Sequence, residues 1–233
     1  MTELRGLYLV TPDWTDTRRL LNAVAPLLDA GVALLQYRNK LADAKLRLSQ
    51  AAALADCCRS AGVPLIINDD PALAARIKAA GVHVGRDDGD LAAARAAVGP
   101  AAIVGATCYN DYDRAAAMAA AGADYVAFGA MYVSPTKPNA VRAPLELLRR
   151  AHDELSLPVA AIGGITIDNA PALIASGADL LAVISDVFSA PDPRARVVQY
   201  RCAFEQTVCN PGCRTDRLMQ RSGTAPKEPR NSS

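Results

Sequence analysis

Residues 34–40 read LLQYRNK, an apolar run that ends in alternating polar side chains. In an extended chain Gln36, Arg38 and Lys40 project to one side and Tyr37 and Asn39 to the other, because successive strand side chains point to opposite faces. Two cations and an amide converging on one strand end suit an anion, although a solvated strand end would look the same. Asn68, Asp69 and Asp70 close a later apolar run, and Asp87 and Asp88 follow the next. Ends of neighbouring strands lie roughly 4.8 Å apart. Carboxylates meeting there would repel unless a hard divalent cation, of which Mg²⁺ is the natural candidate, satisfied both. Asp70 and Asp87 are the better placed of the four carboxylates to cap the helices that follow.

Two further run ends expose main chain. AIGGI at 161–165 finishes in paired glycines and AVIS at 182–185 in Ile184 and Ser185. Glycine N–H groups backed by a helix N-terminus form a phosphate cradle in many barrels, and the same glycines would also serve a plain tight turn. The stretch FGAMYVSPTKPNA at 128–140 sets Lys137 between Pro135 and Pro138, prolines that narrow the loop's backbone ensemble and suit a lid. No Ser-His-Asp set and no histidine cluster sits at these ends. His83 falls inside a strand and reads as core or supporting residue. Cys108 is a nucleophile candidate with nothing nearby to lower its pKa. Lys40 and Lys137 lie past strand ends in polar company, which disfavours a Schiff-base lysine.

The elements that position these residues announce themselves by a recurring phrase: AGVALLQYR, AGVPLIIND, AGVHVG, AGADYVAFG and SGADLLAVIS. In each, an Ala-rich helical stretch stops at a glycine suited to a left-handed C-cap and a short apolar run follows. The pattern predicts strands near 7–11, 33–38, 65–68, 82–85, 102–107, 125–129, 159–163 and 180–185. Runs without polar alternation, joined by helix-length connections, predict a parallel sheet. A single (β/α)8 TIM barrel over residues 1–208 closes that pattern, with a doubly wound open sheet as the competitor. Asp16, Asp43, Asp111 and Asp168 precede helical runs as N-caps, Pro71 and Pro144 suit first turns, and Pro26 falls inside the first helix. Residues 209–233 lose periodicity and gain Pro, Gly and Ser, which predicts a disordered C-terminal tail.

At 233 residues the chain has the length of one α/β barrel. Its net charge of +1 excludes a global attraction to nucleic acid or acidic membranes, so anion binding must be local. The N-terminus has neither a signal-peptide nor a spanning pattern, and the six cysteines lack Cys-x-x-Cys spacing; both point to reduced thiols and a cytoplasmic protein.

With these residues in view, the sequence resembles the thiamine phosphate synthase family over about residues 7 to 200, carried by LYLVTP, GVALLQYRNK, IIND, GVHVGRDD, DYVAFGAMYVSPTK, AIGGI and AVIS in order. The resemblance implies a (β/α)8 transferase that joins hydroxymethylpyrimidine diphosphate to thiazole phosphate, with Mg²⁺ as cofactor, small molecules as partners and a homodimer as assembly. It implies that Gln36, Arg38, Lys40 and Asn68 contact the pyrimidine diphosphate, that Asp69 and Asp88 hold Mg²⁺, and that Thr107 and Lys137 reach the diphosphate. Arg38, Lys40 and Lys137 would serve catalysis by stabilising the leaving group. Ser134 and Thr136, with the backbone at Gly164, Ile184 and Ser185, would hold the thiazole phosphate.

Three positions depart from the family pattern: Gly85-Arg86-Asp87-Asp88 replaces a usual Gly-Gln-Glu-Asp, Cys108-Tyr109 a small residue plus His, and Val133-Ser134 a Pro-Thr. A thiazole tautomerase-like relative and a non-catalytic sensor of phosphorylated ligands are the alternatives on the same barrel.

Overall fold

The computed structural model describes residues 4–85, 90–133 and 141–208. Eight parallel strands close into one barrel in sequence order, β1 pairing with both β2 and β8. The strands are β1 (Gly6–Val10), β2 (Val32–Tyr37), β3 (Leu65–Asn68), β4 (Gly81–Val84), β5 (Ile103–Tyr109), β6 (Tyr125–Gly129), β7 (Val159–Ile162) and β8 (Leu180–Val183). Each of the eight predicted runs is present within two residues of its expected limits, and the open sheet is excluded by the β1–β8 ladder.

The lack of polar alternation has a simple cause, since both faces of every strand are buried. In β1, Leu7 and Leu9 pack outward under the helices while Tyr8 and Val10 fill the barrel interior with Leu34, Ile66, Tyr125, Ala127, Ala160, Leu180 and Ala182. Small residues on the later strands leave the room that two tyrosines occupy. Each fully buried large apolar side chain of the outward layer contributes about 1.5–3 kcal/mol to holding the helices on the sheet.

The covering helices are α1 (Thr17–Leu28), α2 (Ala44–Ala61), α3 (Pro71–Ile77), α4 (Leu91–Val98), α5 (Tyr112–Ala120), α6 (Leu145–Glu154), α7 (Ala170–Ala175), α8 (Ser185–Phe188) and α9 (Pro193–Val208). Asp16, Asp43 and Asp111 cap α1, α2 and α5 as expected, each carboxylate accepting the N–H three residues on, and Asp70 does the same for α3. Pro71 opens α3, Pro144 sits one residue before α6, and Pro26 lies within α1.

Asp168 is a correction. Asn169 occupies the α7 N-cap, and its amide turns back to accept from Thr166 N–H at 2.9 Å and donate to Gly164 O at 3.0 Å. A second correction concerns AGVHVG. Lys78, at φ 54°, takes the left-handed cap of α3, whereas Gly81 opens β4 where a Cβ would strike the Ile103 carbonyl. That glycine serves close strand approach rather than helix termination. No helix among the described residues is long and apolar enough to cross a membrane.

Candidate functional site

The C-terminal ends of β1, β2 and β3 form one wall of the barrel mouth. Gln36 points inward, its Nε2 donating to the Tyr8 hydroxyl at 2.7 Å, while Tyr37 and Asn39 face α2 and both donate to Gln50 Oε1, at 2.9 and 3.0 Å. Gln36 against Tyr37 and Asn39 follows the alternation expected of LLQYRNK, whereas Arg38 and Lys40 line a cleft together with Tyr37 and Asn39. Burial pushes the Tyr37 hydroxyl up to about 12, so it stays protonated and keeps donating to Gln50.

Arg38 is clamped from β1. Thr11 Oγ1 accepts from its N–H and donates to its carbonyl, both at 2.9 Å, and Asp13 accepts from Nη1 at 2.9 and 3.1 Å while also taking the Lys40 N–H at 2.8 Å. Asp13 thus orients the Arg38 guanidinium, and with Thr11 it fixes the main chain at residues 38 and 40. Nothing in the sequence signals either role, because no local spacing ties residues 11 and 13 to residue 38.

Beside them, Asn68 Nδ2 donates to Asp69 Oδ2 at 2.5 Å, and the Asp69 N–H extends the ladder to His83 O at 2.8 Å. Asp69 adopts φ 60°, a left-handed conformation that aspartate tolerates better than most residues. A cleft of about 330 Å³ opens between these ends and α2, lined by Arg38, Lys40, Arg47, Asn68, Asp69 and Asp70, among others.

Beneath the mouth runs a buried polar chain. Gln36 meets Tyr8, Tyr8 meets Tyr125 at 2.7 Å, Tyr125 meets His83 Nδ1 at 2.9 Å, and His83 Nε2 meets Thr107 Oγ1 at 2.7 Å. Burial raises both tyrosine hydroxyls above their ordinary value, so both act as neutral donors. With Gln36 donating, the order that strands no hydroxyl proton passes from Tyr8 to Tyr125 to Nδ1. It leaves a proton on Nε2 to hold Thr107, whose own hydroxyl hydrogen is then left for another acceptor. Arg114 staples this wall, donating to Thr107 O at 2.8 Å and Gly85 O at 3.2 Å. His83 thus has the supporting place expected of it.

Across the mouth, Gly163 and Gly164 turn with φ 102° and 63°, and a Cβ on either would collide with residues 130–133. The loop after β6 continues the β7 ladder, Met131 N–H donating to Ile162 O and Tyr132 N–H to Gly163 O, each at 3.0 Å. Next to it Ile184 and Ser185 start α8. Asp186 ties that start down, accepting from Ile167 N–H at 3.1 Å, Arg196 Nη1 at 2.6 Å and the Tyr200 hydroxyl at 2.8 Å.

The structure brings Arg38, Lys40, Asn68 and Asp69 into one cleft, joins Gln36 to Thr107 through the interior chain, and sets Gly164, Ile184 and Ser185 on the adjoining ends of β7 and β8. Asp88, Ser134, Thr136 and Lys137, together with Arg86 and the tail, lie outside the described residues.

Cys108 is fully buried, and burial pushes its thiol up to about 12. A thiol of that pKa is about one part in ten thousand thiolate at pH 8, which removes it as a nucleophile. Iodoacetamide treatment of the native protein at pH 8, followed by peptide mass spectrometry, is expected to leave Cys108 unmodified while the partly exposed Cys57 and Cys202 react. Equal labelling of all three would contradict this.

The closed ring of eight parallel strands with covering helices, and a polar rim at the strands' C-terminal ends, places the chain among the (β/α)8 barrels. Within that class a family model described as thiamine monophosphate synthase matches residues 7–187, and the chain belongs to this family. The thiamine-phosphate synthase of Azoarcus sp. (strain BH72) is 63% identical over 201 residues, 86% of this chain and 98% of the relative. That of Aromatoleum aromaticum is 61% identical over 204 residues, 88% and 98% of the two chains. Among solved structures, thiamine phosphate pyrophosphorylase from Pyrococcus furiosus superposes with a TM-score of 0.76 at 30% identity, covering 88% of this chain and 98% of that one.

Proposed function

We infer that this chain is a transferase that condenses hydroxymethylpyrimidine diphosphate with thiazole phosphate to give thiamine phosphate and pyrophosphate. The observation that carries the reading is the pairing of two anion-suited walls in one mouth: Arg38, Lys40, Asn68 and Asp69 on one side and Gly164, Ile184 and Ser185 on the other. Family membership supports it. The two small molecules are the partners in this reading, in a cytoplasmic protein whose assembly is the homodimer that the family resemblance implies.

Arg38 and Lys40 face the diphosphate, Gln36 and Asn68 offer amides to the pyrimidine substrate, and Thr107 donates its hydroxyl hydrogen to the diphosphate. Lys137 adds a third cation from the loop after β6, while Ser134 and Thr136 give hydroxyls to the thiazole phosphate. These groups stabilise charge that grows on the departing diphosphate, an effect strengthened where water is excluded. The carbon left electron-poor is then captured by the thiazole nitrogen, held in place through its phosphate. No protein nucleophile is required, consistent with the buried, protonated Cys108.

Asp69 fits a Mg²⁺ ligand: a hard oxygen donor in a polar cleft, with Asp88 as its partner in this reading. Among the described residues no three His, Cys, Asp or Glu side chains gather into a metal set. Mg²⁺ needs none, since it takes one or two carboxylates and completes its shell with water and substrate phosphates. When bound it supplies charge neutralisation at the leaving diphosphate.

Pyrophosphate release is the test. Release that requires both substrates and Mg²⁺ together is the expected result. A sensor would bind both and release none, and a tautomerase-like relative would leave the diphosphate untouched. Lys137→Ala is expected to lower kcat about 10- to 100-fold, the worth of one charge-assisted hydrogen bond, with the melting temperature unchanged. Full activity in the purified variant would remove Lys137 from the chemistry.

A further inference from the structure

Arg47 has no role in the arrangement so far, yet it lines the same cleft as Arg38, Lys40, Asn68 and Asp69. It lies in the first turn of α2, its N–H bonded to Asp43 O at 2.9 Å. Helical spacing puts it on the face that carries Gln50, Ala51 and Leu54, all fully buried against the barrel. The residue is itself only partly exposed and lines the cleft. Its Nε is closed off from water and has no hydrogen-bond partner among the described residues, the single such side-chain atom there.

A buried donor without an acceptor costs about 1–3 kcal/mol, and more when charged. The acceptors on this side of the mouth bond to other donors, and none accepts from Arg47 Nε. Asp13 holds Arg38 and the Lys40 N–H, Asp43 and Asp70 cap α2 and α3, Gln50 Oε1 serves Tyr37 and Asn39, and Asn68 bonds Asp69. The protein thus keeps a guanidinium donor uncommitted at the edge of a cleft whose other described arginine is already paired with a carboxylate. An acceptor that arrives with the ligand resolves the cost, and phosphoryl oxygens match a guanidinium in charge and geometry.

We propose that Arg47 is a further diphosphate-binding residue: from the α2 side of the cleft its side chain turns onto the ligand, which brings the now enclosed Nε–H, with an adjoining Nη, to phosphoryl oxygens. The inference rests on the cleft being the diphosphate site. Arg47 spans from a helix to a ligand otherwise held by strand ends, so diphosphate binding draws α2 onto the rim.

The test titrates inorganic pyrophosphate with Mg²⁺ into the full chain by calorimetry, beside steady-state kinetics, for wild type and for Arg47→Ala, Arg47→Lys and Arg38→Ala. In Arg47→Ala the pyrophosphate Kd and the KM for the diphosphate substrate are expected to rise about tenfold, while the KM for the thiazole phosphate stays within about twofold. Arg47→Lys keeps the charge but has no Nε–H, so it should recover only part of the loss. If Arg38→Ala weakens pyrophosphate binding and Arg47→Ala does not, the Arg47 inference is overturned and the cleft assignment stands. If neither variant changes binding, the cleft is not the diphosphate site and both fail. Should Arg47→Ala not fold, Arg47→Lys decides: wild-type pyrophosphate affinity in that variant overturns the Nε–H contact.

Discussion

Asp69→Asn is expected to lower kcat about 10²–10³-fold at fixed Mg²⁺, since a metal's stabilisation of transition-state charge is worth several kcal/mol and each 1.36 kcal/mol is tenfold. The variant should also need far more Mg²⁺ for half-maximal rate. Its fold should survive for a local reason. Residue 69 sits at φ 60°, a conformation that asparagine adopts as readily as aspartate, and the asparagine carbonyl still accepts from the Asn68 amide. An alanine there would add backbone strain and blur the reading. Steady-state rates across a Mg²⁺ titration, beside a thermal melt, separate the two effects. A titration that superposes on wild type would move the metal away from Asp69.

Gly105→Ala is expected to have the largest effect on stability. A Cβ at 105 would fall inside the Tyr125 ring, against Cζ, Cε1 and the hydroxyl oxygen. The ring has nowhere to go, because it is fully buried, packs edge-on to Tyr8 at 5.7 Å and stacks on His83 at 5.5 Å. Overpacking costs about 1–3 kcal/mol and each buried hydrogen bond broken about as much again. A loss of about 3–5 kcal/mol in a chain of this size lowers the melting temperature by about 10 °C or more. Thermal unfolding followed by circular dichroism measures it. Because Tyr125 holds His83 and His83 holds Thr107, residual activity should fall further than the remaining folded fraction explains. A melt within a degree or two of wild type would show that the barrel interior has slack that the packing denies.

The path from one glycine to Thr107 shows where reading the chain stops. Eight apolar runs, the helices between them and the alternation of Gln36 against Tyr37 and Asn39 were all legible, because each follows from spacing within a few residues and from burial on both strand faces. Asp16, Asp43 and Asp111 were legible for the same reason, a cap acting three residues along. Asp168 misled because the turn ahead of α7 recruits the next residue instead. Asn169 can both accept from Thr166 and donate to Gly164, which a carboxylate cannot. The left-handed cap at Lys78 went to a lysine where a glycine lay three residues away, since Gly81 was already required by the Ile103 carbonyl.

By itself the sequence determined the barrel, the identity of the rim residues Arg38, Lys40, Asn68 and Asp69, and their family. Only the tertiary structure decided who holds them. Asp13 reaches Arg38 across 25 residues, His83 reaches Thr107 across 24, and Tyr8 meets Tyr125 across 117. In the sequence Arg47 is one charge among several on a helix; only the closed barrel leaves its Nε without an acceptor among the described residues. Propensity and periodicity are local, while partnership inside a closed barrel is set by which strands become neighbours and how deep each side chain lies.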